Sequence, residues 1–226
     1  MKIVLLPGLD GTGELFEPFV NSLPGNLKIQ IISYKRQSKQ SYKELVDFVI
    51  TQLPNEEFIL IAESFSGPIA YQVALSKPRF LKSLILVATF LENPRPVLLY
   101  LFNLLPISRI LRMPIPTLLI KIFFLGNKAK KDTIDMFKNT IKSVSPSVIS
   151  FRLQEISKLQ NKYQSSDIKV IYIQATNDKL IPNGCLKGVQ KVFKNISVQR
   201  IIGPHFILQA NPKMCAEVII REVYGT

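Results

Sequence analysis

The stretch from Phe58 to Lys77, FILIAESFSGPIAYQVALSK, constrains this chain more than any other part of it. Phe58 to Ala62 is a short unbroken apolar run, the pattern of a parallel strand buried on both faces. Ser64 follows at once. Gly67-Pro68 then opens a segment with Ile69, Ala70, Val73 and Ala74 at helical spacing, closed by Lys77-Pro78. The stretch therefore predicts a strand that turns sharply into a helix with a serine on the turn. The helix N-terminus is aimed at that serine and favours negative charge there. A plain strand-to-helix turn with a capping serine would look similar from this segment alone.

The remaining elements follow the same alternation. Lys2–Leu6 reads as a first strand, followed by the glycine-rich PGLDGTG and a short helix over 14–23. Leu27–Tyr34 reads as a second strand and Ser41–Leu53 as a helix. Phe58–Ala62 is the third strand and Ser83–Thr89 the fourth. After about Glu92 the alternation breaks. Up to Ser166 only helical signals appear, at Val97–Leu105, Ile115–Leu125, Lys130–Val144 and Pro146–Lys162. Strands return at 167–174 and Ile196–Ile202, with helices at Gly184–Phe193 and Phe206–Tyr224. Alternating strands and helices predict a parallel sheet covered on both faces. The expected organisation is a core of residues 1–91 and 167–226, with 92–166 as a helical insertion. Ligands of such sheets bind beyond the carboxyl ends of the strands, so the insertion would lie over the site as a lid.

The 226 residues carry a net charge of +13, and it is unevenly spread. Twelve Lys/Arg and three Asp/Glu fall between Arg95 and Lys162, so +9 of the total sits in the insertion. An acidic carrier protein or an anionic lipid surface fits such an excess, as does a Lys-rich set of solvated helix faces. Nucleic acid fits poorly, because no binding motif accompanies the charge. Cys185 and Cys215 form no disulfide framework, which points to a reducing, cytoplasmic setting. The N-terminal apolar run stops at Pro7, short of a signal-peptide core. Residues 97–125 are apolar, but Pro106, Arg109, Arg112, Pro114 and Pro116 interrupt them. No transmembrane helix is expected there; peripheral membrane contact remains open.

The chain has one histidine, His205, in IIGPHFILQANP just after the last strand. A multi-histidine metal site within the chain is thereby excluded. PGLDGTG matches neither the dinucleotide nor the phosphate-loop glycine pattern, so no cofactor is expected. Asp178, in QATNDKLIP, follows the preceding strand on the same edge of the sheet. Ser64, Asp178 and His205 thus each follow the carboxyl end of a different strand. A serine hydroxyl is a weak nucleophile and needs an adjacent base. His205 would take its proton, and Asp178 would fix and stabilise the imidazole. The N–H groups of Phe65 and Leu9 would supply two donors for a tetrahedral oxyanion, with Gly8 and Gly11 letting the backbone approach.

With these motifs the sequence resembles the α/β-hydrolase superfamily over nearly its whole length. LLPGLDGTG is similar to its oxyanion loop, AESFSG to its nucleophile elbow, TNDKLIP to its acid loop and GPHF to its histidine loop. The resemblance implies a trimmed α/β-hydrolase fold, with about six parallel strands and a helical cap. It also implies a serine esterase with Ser64, Asp178 and His205 as catalytic residues. There are departures. Pro7-Gly8 stands where His-Gly is frequent, and Ala62 and Ser66 replace the outer glycines of the elbow. Glu92 occupies the place where some members carry the acid and is an alternative to Asp178.

The resemblance implies a reaction type more than a substrate. Leu98, Leu99, Leu101, Phe102, Leu104, Leu105, Ile120, Phe123 and Phe124 would line an acyl tunnel or form the insertion's own core. The basic insertion is similar in position to that of the pimeloyl-acyl-carrier-protein methyl ester esterases of biotin synthesis. On that likeness Arg109, Arg112, Lys121 and Arg152 are candidates for contact with substrate or carrier. A thioesterase or acyltransferase with the same residues, or a non-catalytic protein that docks on a membrane or partner, are the other readings.

Overall fold

A computed structural model describes residues 1–160 and 164–225. Six strands form one parallel sheet in the order β2-β1-β3-β4-β5-β6. They are β1 (Lys2–Leu6), β2 (Lys28–Ile31), β3 (Phe58–Glu63), β4 (Leu81–Val87), β5 (Lys169–Ala175) and β6 (Ile196–Ile201). The expected strands are therefore present, most of them shifted by one or two residues at an end. β2 shortens more, because it is the edge strand and pairs only with β1, from Lys28 to Ile31.

Side chains alternate across the sheet and build two cores. Val4, Leu6, Leu60, Ala62, Leu84, Leu86 and Tyr172 face one side. There they meet α2 (Tyr42–Gln52), α3 (Gly67–Leu75) and α9 (Cys185–Val192) through Leu45, Val49, Ile69, Val73 and Val189. Ile3, Leu5, Ile59, Ile61, Ile85, Val87 and Ile173 face the other side. Their partners are Phe19 of α1 (Glu17–Val20), Leu208 of α10 (Ile207–Ala210) and Ile219 of α11 (Pro212–Tyr224). Strands apolar on both faces are the reason the sequence shows unbroken apolar runs.

Between β4 and β5 the chain forms α4 (Pro96–Leu104), α5 (Ile107–Ile110), α6 (Thr117–Leu119), a π-helical turn (Ile120–Leu125), α7 (Lys131–Ser143) and α8 (Pro146–Ser157). The helix expected over Ile115–Leu125 starts only at Thr117, since Pro114 and Pro116 disfavour helical geometry before them. The helix expected to reach Lys162 ends at Ser157, and Lys162 lies outside the described residues. The single closing helix expected over Phe206–Tyr224 is instead α10 and α11, divided at Asn211-Pro212. Proline at the first position of α11 has no N–H to give to the preceding turn. No described helix is long and apolar enough to cross a membrane.

β1 and β3 are neighbours whose successors lie in opposite directions along the sheet. This reversal opens a crevice above their carboxyl ends. The loop after β1 and the turn after β3 both enter it.

Candidate active site

Ser64 sits on the turn from β3 to α3 with φ of +49°, in the left-handed region. Side chains other than glycine pay a conformational cost there, and the surrounding packing holds the turn in place. A Cβ on Gly67 would fall 2.0 Å from Thr89 Oγ1 and 2.9 Å from the Phe90 carbonyl. Glycine is thus needed at Gly67, where α3 passes the end of β4. Ser66 replaces a usual glycine and uses its hydroxyl. It donates to the Pro7 carbonyl, and its oxygen is 2.6 Å from the Tyr34 hydroxyl. The departure from the glycine pattern therefore ties the elbow to the loop after β1. Thr89 adds a hydrogen bond to the Ser64 carbonyl.

The three chemical side chains meet. Ser64 Oγ is 2.9 Å from His205 Nε2, and His205 Nδ1 is 2.7 Å from Asp178 Oδ2. With the ring proton on Nδ1 donated to the carboxylate, Nε2 keeps a lone pair for the serine hydroxyl. Asp178 Oδ1 accepts the N–H groups of Leu180 and Ile181 at 2.8 and 2.9 Å, which fixes its carboxylate. The loops after β5 and β6 are joined by the Asn177 N–H to the Gly203 carbonyl. The place of Glu92, the alternative acid, beside His205 is taken by Asp178.

The loop after β1 runs beside the serine. A Cβ on Gly8 would lie 3.9 Å from Ser64 Cβ. The Gly8 carbonyl accepts the Gly11 N–H at 3.0 Å, closing a turn that carries Leu9 and Asp10. Asp10 stabilises this turn by accepting the Thr12 N–H and hydroxyl at 2.8 and 2.7 Å. Phe65 is anchored by Tyr42, whose ring stacks on it at 4.8 Å and whose hydroxyl donates to its carbonyl.

Of the four basic candidates, Arg109 and Arg112 are exposed and Lys121 is half-buried. Arg152 is a correction. It is 0% exposed, so it offers nothing to a docking partner. Its guanidinium instead donates to the carbonyls of Leu9, Asp10 and Lys35. Of the apolar candidates, Leu99 and Ile120 are buried, whereas Leu98, Leu101 and Phe123 are exposed. Nothing in the residue types of α4 tells these two sets apart.

Sequence reasoning missed Glu63, the residue before the serine. It is buried, and its carboxyl is pushed up to about 8 by burial, with a smaller contribution from Asp10. Gln209 Nε2 approaches Glu63 Oε2 at 3.4 Å, while Glu63 Oε1 and Gln209 Oε1 find no partner among the described residues. A carboxyl that retains its proton supplies the O–H these acceptors lack. The available signal was a carboxylate directly following an apolar strand, which must either stay neutral or find a cation.

Ser64 is 8% exposed and His205 4%. The π-helical turn lies against the histidine loop: the Phe206 N–H donates to the Phe124 carbonyl, and Phe124, Phe137 and Phe206 cluster at 5.0–6.0 Å between ring centroids. Beside Asp178 a groove of about 960 Å³ is lined by Lys121, Lys128, Lys130 and Lys179 among others.

Known proteins resemble this arrangement in sequence and fold. The family described as serine aminopeptidase, S33 (Hydrolase_4) matches residues 35–202, a span holding Ser64 and Asp178 but not Leu9 or His205. A lipase-esterase related protein from Clostridium acetobutylicum superposes with a TM-score of 0.77 at 16% identity, covering 97% of this chain and 93% of that one. An esterase from Exiguobacterium antarcticum gives 0.76 at 14% identity, covering 99% and 92%. A structure from work on the carboxylesterases of the thaumarchaeon Nitrososphaera gargenis gives 0.78 at 13% identity, covering 99% and 89%. Comparison with curated proteins finds none that matches.

Proposed function

Since the chain belongs to the serine aminopeptidase S33 family and is a serine hydrolase of α/β-hydrolase fold, we propose that Ser64, His205 and Asp178 are its catalytic triad and that it hydrolyses carboxylic esters with an apolar acyl part. The observation that carries this reading is the hydrogen-bonded series Ser64–His205–Asp178, built from three separate loops at one edge of the sheet. His205 Nε2 removes the hydroxyl proton as Ser64 Oγ attacks the ester carbonyl. The N–H groups of Leu9 and Phe65 receive the oxyanion. His205 then returns the proton to the departing alkoxide, leaving an acyl-Ser64. Water, deprotonated by the same nitrogen, releases the acid and restores the serine. Ser64 is 8% exposed, so the ester carbonyl approaches it through a narrow opening.

A narrower reading concerns delivery of the substrate. The groove lined by Lys121, Lys128, Lys130 and Lys179 adjoins the Asp178 loop and favours an anionic carrier, such as an acyl-carrier protein bearing a methyl ester. Arg109 and Arg112 are exposed and would be open to an anionic partner as well. A second reading draws on the apolar side chains that α4 and α5 present to solvent, among them Val97, Leu104 and Ile110. Such a patch beside cations also suits a lipid surface carrying the ester.

The test is fluorophosphonate labelling, followed by hydrolysis of p-nitrophenyl esters of graded chain length and of methyl pimeloyl-carrier protein. Labelling at Ser64 with turnover of simple esters is the expected result. Lack of both in folded protein would exclude the enzyme, whereas failure on the carrier substrate alone would remove only the narrower reading.

A further inference from the structure

Arg152 is a fully buried cation that stands outside the catalytic series. Among the described residues it forms no ion pair. Its Nη1 donates to the carbonyls of Leu9 at 2.8 Å and Asp10 at 2.7 Å, and its Nη2 to that of Lys35 at 3.1 Å. The guanidinium also lies 5.6 Å from the Tyr34 ring and 6.0 Å from the Phe65 ring. Its Nε has no partner among the described residues. Burying a guanidinium is costly, and an aliphatic side chain of similar volume would fill this space more cheaply. An aliphatic side chain could not hold carbonyl oxygens.

The held carbonyls have a consequence for the neighbouring N–H. The described residues include no cis peptide bond. In a trans peptide the C=O and N–H point to opposite sides. The Gly8 carbonyl is turned toward the Gly11 N–H, so the Leu9 N–H faces away from that turn. Arg152 fixes the next two carbonyls and leaves this peptide little freedom to rotate. Gly11, at φ +70°, is shaped around the same group: a Cβ there would fall 2.5 Å from Arg152 Nη1.

We propose that Arg152 is the positioning residue of the oxyanion hole, a cation delivered by α8 that clamps the Leu9–Asp10 carbonyls and rests on Phe65, so that both N–H donors face Ser64. The proposal rests on the reading of Ser64 as the nucleophile. It also assigns α8, part of the 92–166 insertion, a place in the chemistry distinct from substrate recognition.

The experiment compares Arg152→Lys, Arg152→Met and Arg152→Ala with wild type. Active sites are counted by completed fluorophosphonate labelling, and kcat is expressed per labelled site. A mispositioned donor is expected to lower kcat per site by about 10²-fold in Arg152→Met, with KM within about twofold. Affinity for a trifluoromethyl ketone, whose adduct bears an oxyanion, should fall by a similar factor, while affinity for the product acid stays unchanged. Guanidinium in solution should restore part of the Arg152→Ala loss, and Arg152→Lys should be intermediate. Normal kcat per labelled site, with only a lower melting temperature or fewer labelled sites, would overturn the proposal and leave Arg152 a packing residue. Should Arg152→Met not fold, Arg152→Lys and the guanidinium series read the same quantity. Wild type that fails to label at Ser64 would instead overturn the underlying triad reading.

Discussion

The sheet with its edge loops and the helical stretch between β4 and β5 use apolar side chains in opposite ways. In β1, β3 and β4 nearly every Leu, Ile and Val is enclosed, because the crossover helices cover both faces. In α4 to α6 most of the same residue types stand in solvent, Leu99 excepted: Val97 is 75% exposed and Leu104 66%. Those helices have the protein beneath them and no layer above. The chemical groups sit on the enclosed part, where packing fixes positions closely. The cations and free apolar surface sit on the other. Among the described residues, the one cation of that stretch that is buried, Arg152, reaches across to the loop after β1 and joins the two regions.

The strongest way to break this contrast is to remove the groups at the sheet edge. Ser64→Ala and His205→Ala should each lower kcat for ester hydrolysis by about 10⁴–10⁶-fold, and Asp178→Asn by about 10⁴-fold. Substitutions at Arg109 or Arg112 should leave turnover of a small soluble ester unchanged. If they abolished it, the division of labour would be wrong.

A smaller effect compares stability in the two regions. Leu60→Ala, in β3, should cost about 2–5 kcal/mol in urea unfolding, from lost burial and the cavity left behind. Leu104→Ser, in exposed α4, should stay within about 0.5 kcal/mol. Equal costs would mean that α4 is covered in solution.

A further effect concerns pH. The Glu63 carboxyl binds its proton up to about pH 8 in the folded protein, well above the ordinary carboxylate range it would have unfolded. The folded state therefore holds the extra proton, and the slope of stability against pH is negative between those values. This stabilising contribution is complete at low pH and is lost as pH rises through about 8. Glu63→Gln should flatten that part of the curve in denaturant midpoints measured from pH 5 to 9. An unchanged slope would show that another group carries it.

The parts legible in the sequence were those with local causes. Unbroken apolar runs marked strands covered on both faces, and the order Ser64, Asp178, His205 followed from three loops at one edge. The loops after β5 and β6 could be placed because each directly follows a strand. The stretch between β4 and β5 was less legible. A π-helical turn and the short α5 leave weak periodicity, and the prolines mark where a helix breaks but not the conformation beyond the break. Arg152 shows the difficulty best. Its place in a stretch with an excess of Lys and Arg suggests a solvated cation. Its partners are Leu9, Asp10 and Lys35, more than a hundred residues earlier in the chain.

Strand positions, two-sided burial and the presence of a serine between a strand and a helix were determined by the sequence alone, because each depends on side chains a few residues apart. Which polar groups are enclosed, and therefore which stay neutral or hold carbonyls, was decided only by the tertiary structure. Desolvation depends on what packs from every side. Glu63 beside Gln209 and Arg152 beneath the loop after β1 acquire their character from residues brought together by folding.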